Sequence, residues 1–242
     1  AKFRIISGGE DIGKETKIPL GLEFYLFDGW KIYWRNPGDA GFPPSFIETK
    51  SNNLEKIEWR WPAPMRFTLD GLQSFGYGSH VVIPLTAQIK SNKEPLNLKT
   101  TLSALACREI CIPIEEILKL QLPIGTGAPS KFSKVLKNYE NLVPTASSWP
   151  EFTLVSSYLE GTTIILNINS SQKFIEPDVF FETMSDIHFG KPKVKLSRDH
   201  KRATLKVSIT PPEGSVSVEF PTTLTFVDKG RSIELNEIIR PS

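Results

Sequence analysis

Cys107 and Cys111 are the only two cysteines of the chain, with three residues between them in the stretch ALACREICIPIEE. Two thiols at this spacing can close a short disulfide, hold a soft metal ion, or exchange electrons with another protein's disulfide. A bridge needs Cα atoms roughly 4.4–6.8 Å apart. Four residues of straight strand span about 13 Å, so the chain must bend at Arg108-Glu109-Ile110 or take one helical turn there. Pro113 stops a helix from running on, and TTLSALA before the pair reads as strand, so a tight turn at a strand tip is expected. As a staple the bridge is poor, worth about 2 kcal/mol for a loop of roughly five residues. Short, bent disulfides tend instead to be exchangeable, which favours redox chemistry. Arg108 would stabilise a thiolate and Glu109 would oppose it, and their sequence positions leave the sign open.

The metal reading has little to draw on. Zinc takes about four ligands, and His80, His188 and His200 lie far from the pair in sequence. A two-thiolate Cu(I) site would find only Met65 and Met184 as further soft donors. No metal and no cofactor is expected, with Cu(I) handling kept as an alternative.

The elements that must position the thiols read as strands. Leu22, Phe24 and Leu26 alternate with Glu23, Tyr25 and Phe27; Trp30, Ile32 and Trp34 alternate with Lys31, Tyr33 and Arg35. Asp28-Gly29 between the two runs predicts a hairpin. NPGDAGFPP at 36–44 is expected as a loop, tied down by Arg35 and Asp39, and further strands are expected at 54–61, 79–89, 96–106 and 112–122. Phe132, Val135, Leu136, Tyr139 and Leu142 share one helical face, which predicts a helix of about three turns. Strand grammar then returns, with turns expected at Glu160-Gly161, at the Pro-Pro-Glu-Gly of 211–214 and at Asp228-Lys229-Gly230. The expected fold is all-β: two immunoglobulin-like β-sandwich domains joined by a short helical linker, over 1–125, 126–149 and 150–242.

Composition narrows the function. The chain has 242 residues and a net charge of +2. It shows no dense Lys/Arg run of the kind that tracks nucleic acid, and no basic patch is expected in the second domain. No apolar run reaches the roughly 18 residues of a membrane span, so this segment is not expected to cross a bilayer itself. A start at Ala without a signal pattern reads as a processed or truncated product. The NSS at 169–171 formally fits a glycosylation acceptor, but nothing else points that way.

Four stretches in order, GWKIYWRNPGDAGFPPSF (29–46), IEWRWPAPMRF (57–67), SFGYGSHVVIPLTAQI (74–89) and ACREICIPIEE (106–116), resemble the N-terminal periplasmic region of DsbD-type thiol:disulfide interchange proteins, in the branch that includes ScsB. The resemblance covers about residues 20–120 and is weaker after 125. It implies an immunoglobulin-like domain whose redox-active pair is Cys107 and Cys111, with Cys111 forming the mixed disulfide with partners. It implies a disulfide-reductase role without cofactor. Electrons would come from a membrane-embedded redox domain of the same or a partner chain and go to thioredoxin-like and other periplasmic proteins, in a setting linked to copper tolerance. It also implies an aromatic cap over the sulfurs, Phe75 and Tyr77 of SFGYG, with Trp30 and Tyr33 as site walls. The competing reading is an adhesion or chaperone-like binding module whose disulfide is inert.

Overall fold

The computed structural model describes all residues except Asp70, Ser148, Ser185 and 212–218. The chain forms two compact units, Ala1–Asn141 and Leu142–Ser242. In each, some strands bury apolar residues at every second position.

The first unit runs β1 (Lys2–Ser7), β2 (Lys17–Tyr25), β3 (Lys31–Gly38), β4 (Ser45–Ser51), β5 (Leu54–Trp59), β6 (Met65–Leu69), β7 (Leu72–Gly78), β8 (His80–Ile89), β9 (Leu96–Cys107), β10 (Cys111–Leu122) and α1 (Ser133–Glu140). One sheet has the order β1-β2-β8-β5; the other is β10-β9-β3-β7-β6, with β4 also pairing β9. In β9 the alternation is plain: Leu96, Leu98, Thr100, Leu102, Ala104 and Ala106 are buried, while Asn97 and Lys99 face solvent. Trp34, Phe24, Ile32 and Leu22 close the core at 0 % exposure.

The hairpin expected at Asp28-Gly29 does not form. A turn is present, with the Trp30 amide donating to the Phe27 carbonyl at 3.1 Å and Gly29 at φ +78°. Yet β2 and β3 lie in different sheets, because β1 and β8 already occupy both edges of β2. Asp28 does not share Gly29's positive φ, so the turn lacks the two left-handed residues that a type I′ hairpin requires. The loop expected at 36–44 begins later than its composition suggests. β3 continues to Gly38, its pairing with β7 jumping from Tyr33↔Gly76 to Gly38↔Ser74, so Pro37 sits in the irregular part where no ladder donor is needed. Asp39 pins the start of the loop, its amide donating to the Gln73 carbonyl and its carboxylate accepting from the Gln73 amide, both at 2.8 Å.

Helix α1 spans eight residues rather than three full turns. Its buried Leu136 packs on Ile6 and Val82, with Phe132, Val135 and Tyr139 around it. The segment leading into it is stitched to the N-terminus: Ile12 donates to Pro123, Glu10 to Ala128, and Asp11 accepts from the Gly127 amide at 2.7 Å. Of the stretch 126–149, the part through Asn141 therefore packs with the first unit.

The second unit comprises β11 (Phe152–Glu160), β12 (Thr163–Ser170), β13 (Pro177–Glu182), β14 (His188–Phe189), β15 (Lys193–Leu196), β16 (Arg202–Thr210), β17 (Phe220–Asp228) and β18 (Arg231–Ile239). Its sheets are β11-β12-β16-β14, with β15 also on β16, and β13-β17-β18. The turn at Lys229-Gly230 has φ +44° and +84°, as a two-residue I′ hairpin requires. The hairpin at Gly161 forms as expected. The Pro-Pro-Glu-Gly turn falls on 211–214, of which 212–218 lie outside the described residues.

Candidate redox site

The two cysteines are cross-strand partners. β9 ends at Cys107, β10 begins at Cys111, and Arg108-Glu109-Ile110 forms the loop, closed by the Arg108 amide on the Ile110 carbonyl at 3.0 Å. The pair is disulfide-bonded with Cα atoms 4.1 Å apart. The expected bend at a strand tip is thus a three-residue hairpin loop.

The two sulfurs sit in unlike surroundings. Cys107 is 1 % exposed, while Cys111, on an edge strand, faces solvent. The Tyr33 hydroxyl donates to Cys107 Sγ at 3.1 Å and stands 4.0 Å from Cys111 Sγ. Tyr33 itself is buried, which pushes its phenol above the ordinary range, and the nearby buried Ser74 hydroxyl opposes this more weakly. The phenol therefore keeps its proton at neutral pH and can donate it to sulfur.

Gly41, at φ +103°, lies flat on the Tyr33 ring: a Cβ there would come within 2.3 Å of it. The Gly-Pro-rich loop after β3 is thus the lid over the phenol, and only glycine lets the backbone approach so closely. Lys31 is paired with Cys107 in register and, two residues before Tyr33, shares its face. Arg108 and Glu109 pair with each other at 3.7 Å, both exposed.

The aromatic residues expected around the pair are placed differently from one another. SFGYG is the body of β7, not a free loop, because Gly76 lets the backbones of β7 and β3 come together where a Cβ would meet the Ile32 carbonyl. Tyr77 stands opposite Ile32 in register, on the core side, and donates to the Pro62 carbonyl at 2.7 Å. Phe75 lies opposite Arg66, whose guanidinium stacks 4.8 Å above its ring. Trp30 is half-buried in the turn before β3. Phe67, not anticipated from sequence, approaches Tyr33 with ring centroids 6.0 Å apart.

The pair is thus a disulfide at a hairpin tip, with one cysteine exposed and the other hydrogen-bonded by a buried donor. Residues 9–123 match the family described as thiol:disulfide interchange protein DsbD, N-terminal. This segment is similar to DsbD N-terminal domains. Because the cysteine pair lies inside it, the chain carries a thiol:disulfide interchange module, an oxidoreductase in the broad sense that works with thiol-redox partners. The crystal structure of the N-terminal periplasmic domain of ScsB from Proteus mirabilis shares the fold of the whole chain, with a TM-score of 0.76 and 24 % identity over 98 % of this chain and 92 % of that one. Residues 142–242 match a second family, described as a domain of unknown function (DUF8393). No curated protein matches the chain in sequence. Among the described residues, no helix is long and apolar enough to cross a membrane.

Proposed function

We propose that this DsbD-type domain is a periplasmic protein-disulfide reductase module. It takes electrons from a membrane-embedded redox domain and passes them, through Cys107 and Cys111, to disulfides of thioredoxin-like and other periplasmic proteins. The observation that carries the reading is the asymmetry of the pair: an exposed Cys111 beside a buried Cys107 that accepts a hydrogen bond from Tyr33.

In the charging half, a donor thiolate attacks Cys111 Sγ, on the exposed residue of the two. The Cys107–Cys111 bond breaks, a mixed disulfide forms at Cys111, and Cys107 leaves as a thiolate that the Tyr33 hydroxyl stabilises. A second donor thiol resolves the mixed disulfide and leaves the dithiol. In the delivering half, the Cys111 thiolate attacks a partner disulfide, and Cys107 displaces the partner to restore the bridge. Tyr33 under the Gly41 loop is the shield of the buried sulfur, while Phe75 and Tyr77 wall the domain behind it.

Single-cysteine variants test this. Mixed with glutathione disulfide and read by intact mass, C107S should gain one glutathione at Cys111 about tenfold or more faster than C111S gains one at Cys107. Equal rates, or the reverse order, would contradict the assignment of Cys111 as the attacking sulfur.

A further inference from the structure

The cations of the second unit are concentrated on one hairpin. Residues 191–206 hold seven of the eleven Lys and Arg residues of Leu142–Ser242 but one of its twelve acids. Along the chain these cations are spaced out. Folding doubles them up, so the sequence-based expectation of no basic patch here is overturned. Lys193 on β15 stands directly opposite Lys206 on β16, and Lys195 stands opposite Thr204. Because Ala203, Leu205 and Val207 enter the core, Arg202, Thr204 and Lys206 face outward. Lys191, Arg198 and Lys201 flank them, and all seven cations are exposed.

The one acid is already engaged. Asp199 accepts from the Ser197 hydroxyl and the Lys201 amide within the connecting turn, and these bonds hold its carboxyl below the ordinary range. Among the described residues, none of the seven cations forms a salt bridge. Like charges directly opposite across a strand pair cost stability. Lysine on an edge strand guards against aggregation, which accounts for Lys193 and Lys195. It does not account for Lys206 and Arg202, which lie on a strand paired on both sides.

We infer that this hairpin is an electrostatic docking face for a bilayer surface rich in anionic phospholipid headgroups. The face is a sheet, continued beside the cations by the hydrogen-bonded row Thr204–Asn167–Ser156, so it offers a plane of point charges rather than a pocket for one anion. Five of the seven cations are Lys. Lysine is depleted in protein interfaces, which favour Arg and aromatic anchors, whereas either cation is attracted to an anionic membrane surface. Residues 191–206 contain no Phe, Tyr or Trp on which nucleic-acid bases would stack. This role is separate from the cysteine chemistry and stands or falls without it.

The test is cosedimentation of the full chain with vesicles of phosphatidylcholine alone or with about one-third phosphatidylglycerol, at about 50 and 500 mM salt. Binding should require phosphatidylglycerol and weaken at high salt. Each lysine near the surface is worth about fivefold in partitioning, so K193Q/K195Q/K206Q should bind about a hundredfold less. A variant losing Lys2, Lys14 and Lys90 to Gln should bind nearly as the parent does. The first variant relieves the Lys193–Lys206 repulsion, so its thermal midpoint should equal or exceed the parent's, which separates lost binding from lost fold. Binding that ignores phosphatidylglycerol, or that the first variant retains in full, would overturn the inference. So would binding to polyglutamate or duplex DNA but not to vesicles, which would reassign the face to an acidic protein or a nucleic acid.

Discussion

The Tyr33 hydroxyl lies 3.1 Å from the sulfur of the buried Cys107 and 4.0 Å from that of Cys111, the exposed residue of the pair. One donor thus favours one sulfur of the pair, and it favours the one that a partner cannot reach.

Removing that donor should act on exchange more than on fold. A hydrogen bond to a charged group is worth about 1.5–3 kcal/mol, or roughly 10- to 100-fold in the step that expels the Cys107 thiolate. Y33F should slow reduction of the oxidised chain by glutathione by about that factor while changing unfolding free energy by only about 1 kcal/mol. Stopped-flow reduction beside urea denaturation checks both. An unchanged rate would remove Tyr33 from the chemistry.

Gly41 should resist substitution. Alanine would combine φ +103° with a contact of 2.3 Å to the Tyr33 ring, at a cost of about 2–3 kcal/mol. G41A should melt earlier, and after reduction its Cys107 should be alkylated faster because the displaced loop uncovers the phenol.

Glu23 ties the other sheet to acid stability. Burial pushes its carboxyl up, but hydrogen bonds from Arg4, His80 and Tyr25 together outweigh that and leave it below the ordinary range. A depressed carboxylate stabilises the fold above its unfolded pKa of about 4.3, and the stability is lost as pH falls through the folded value. Arg4 is half exposed, so the effect is modest. E23Q should lose about 1–2 kcal/mol at pH 7 and less at about pH 4, where protonation of the unfolded chain has begun to remove the wild type's advantage. Urea melts at the two pH values measure the difference.

Leu136 fixes the short helix. Cutting it to Ala removes the side chain that α1 buries on Ile6 and Val82, at roughly 2–4 kcal/mol. The amides of Ser133–Glu140 should then exchange with solvent well before those of β9.

What the sequence made legible was local. The Cys107–Cys111 spacing demanded a bend, and Asp228-Lys229-Gly230 specified its own hairpin. Period-two alternation correctly put Lys31 and Tyr33 on one face. Relationships set by tertiary pairing were not legible. Asp28-Gly29 encodes a turn but not which strand lies beside it, and that is decided by β1 and β8. The Tyr33–Cys107 hydrogen bond joins residues 74 apart and exists only because β3 lies against β9. The same holds for Lys193 and Lys206, ordinary surface lysines in sequence and adjacent only across β15 and β16.

The most direct test of the central claim is a redox titration of the chain in glutathione and dithiothreitol buffers, scored by alkylation and intact mass. A working exchange pair should give a reversible two-electron midpoint between about −180 and −270 mV, the range of known exchange proteins. A midpoint well below about −300 mV, or a pair that does not react while the chain is folded, would make the bridge structural and contradict the account.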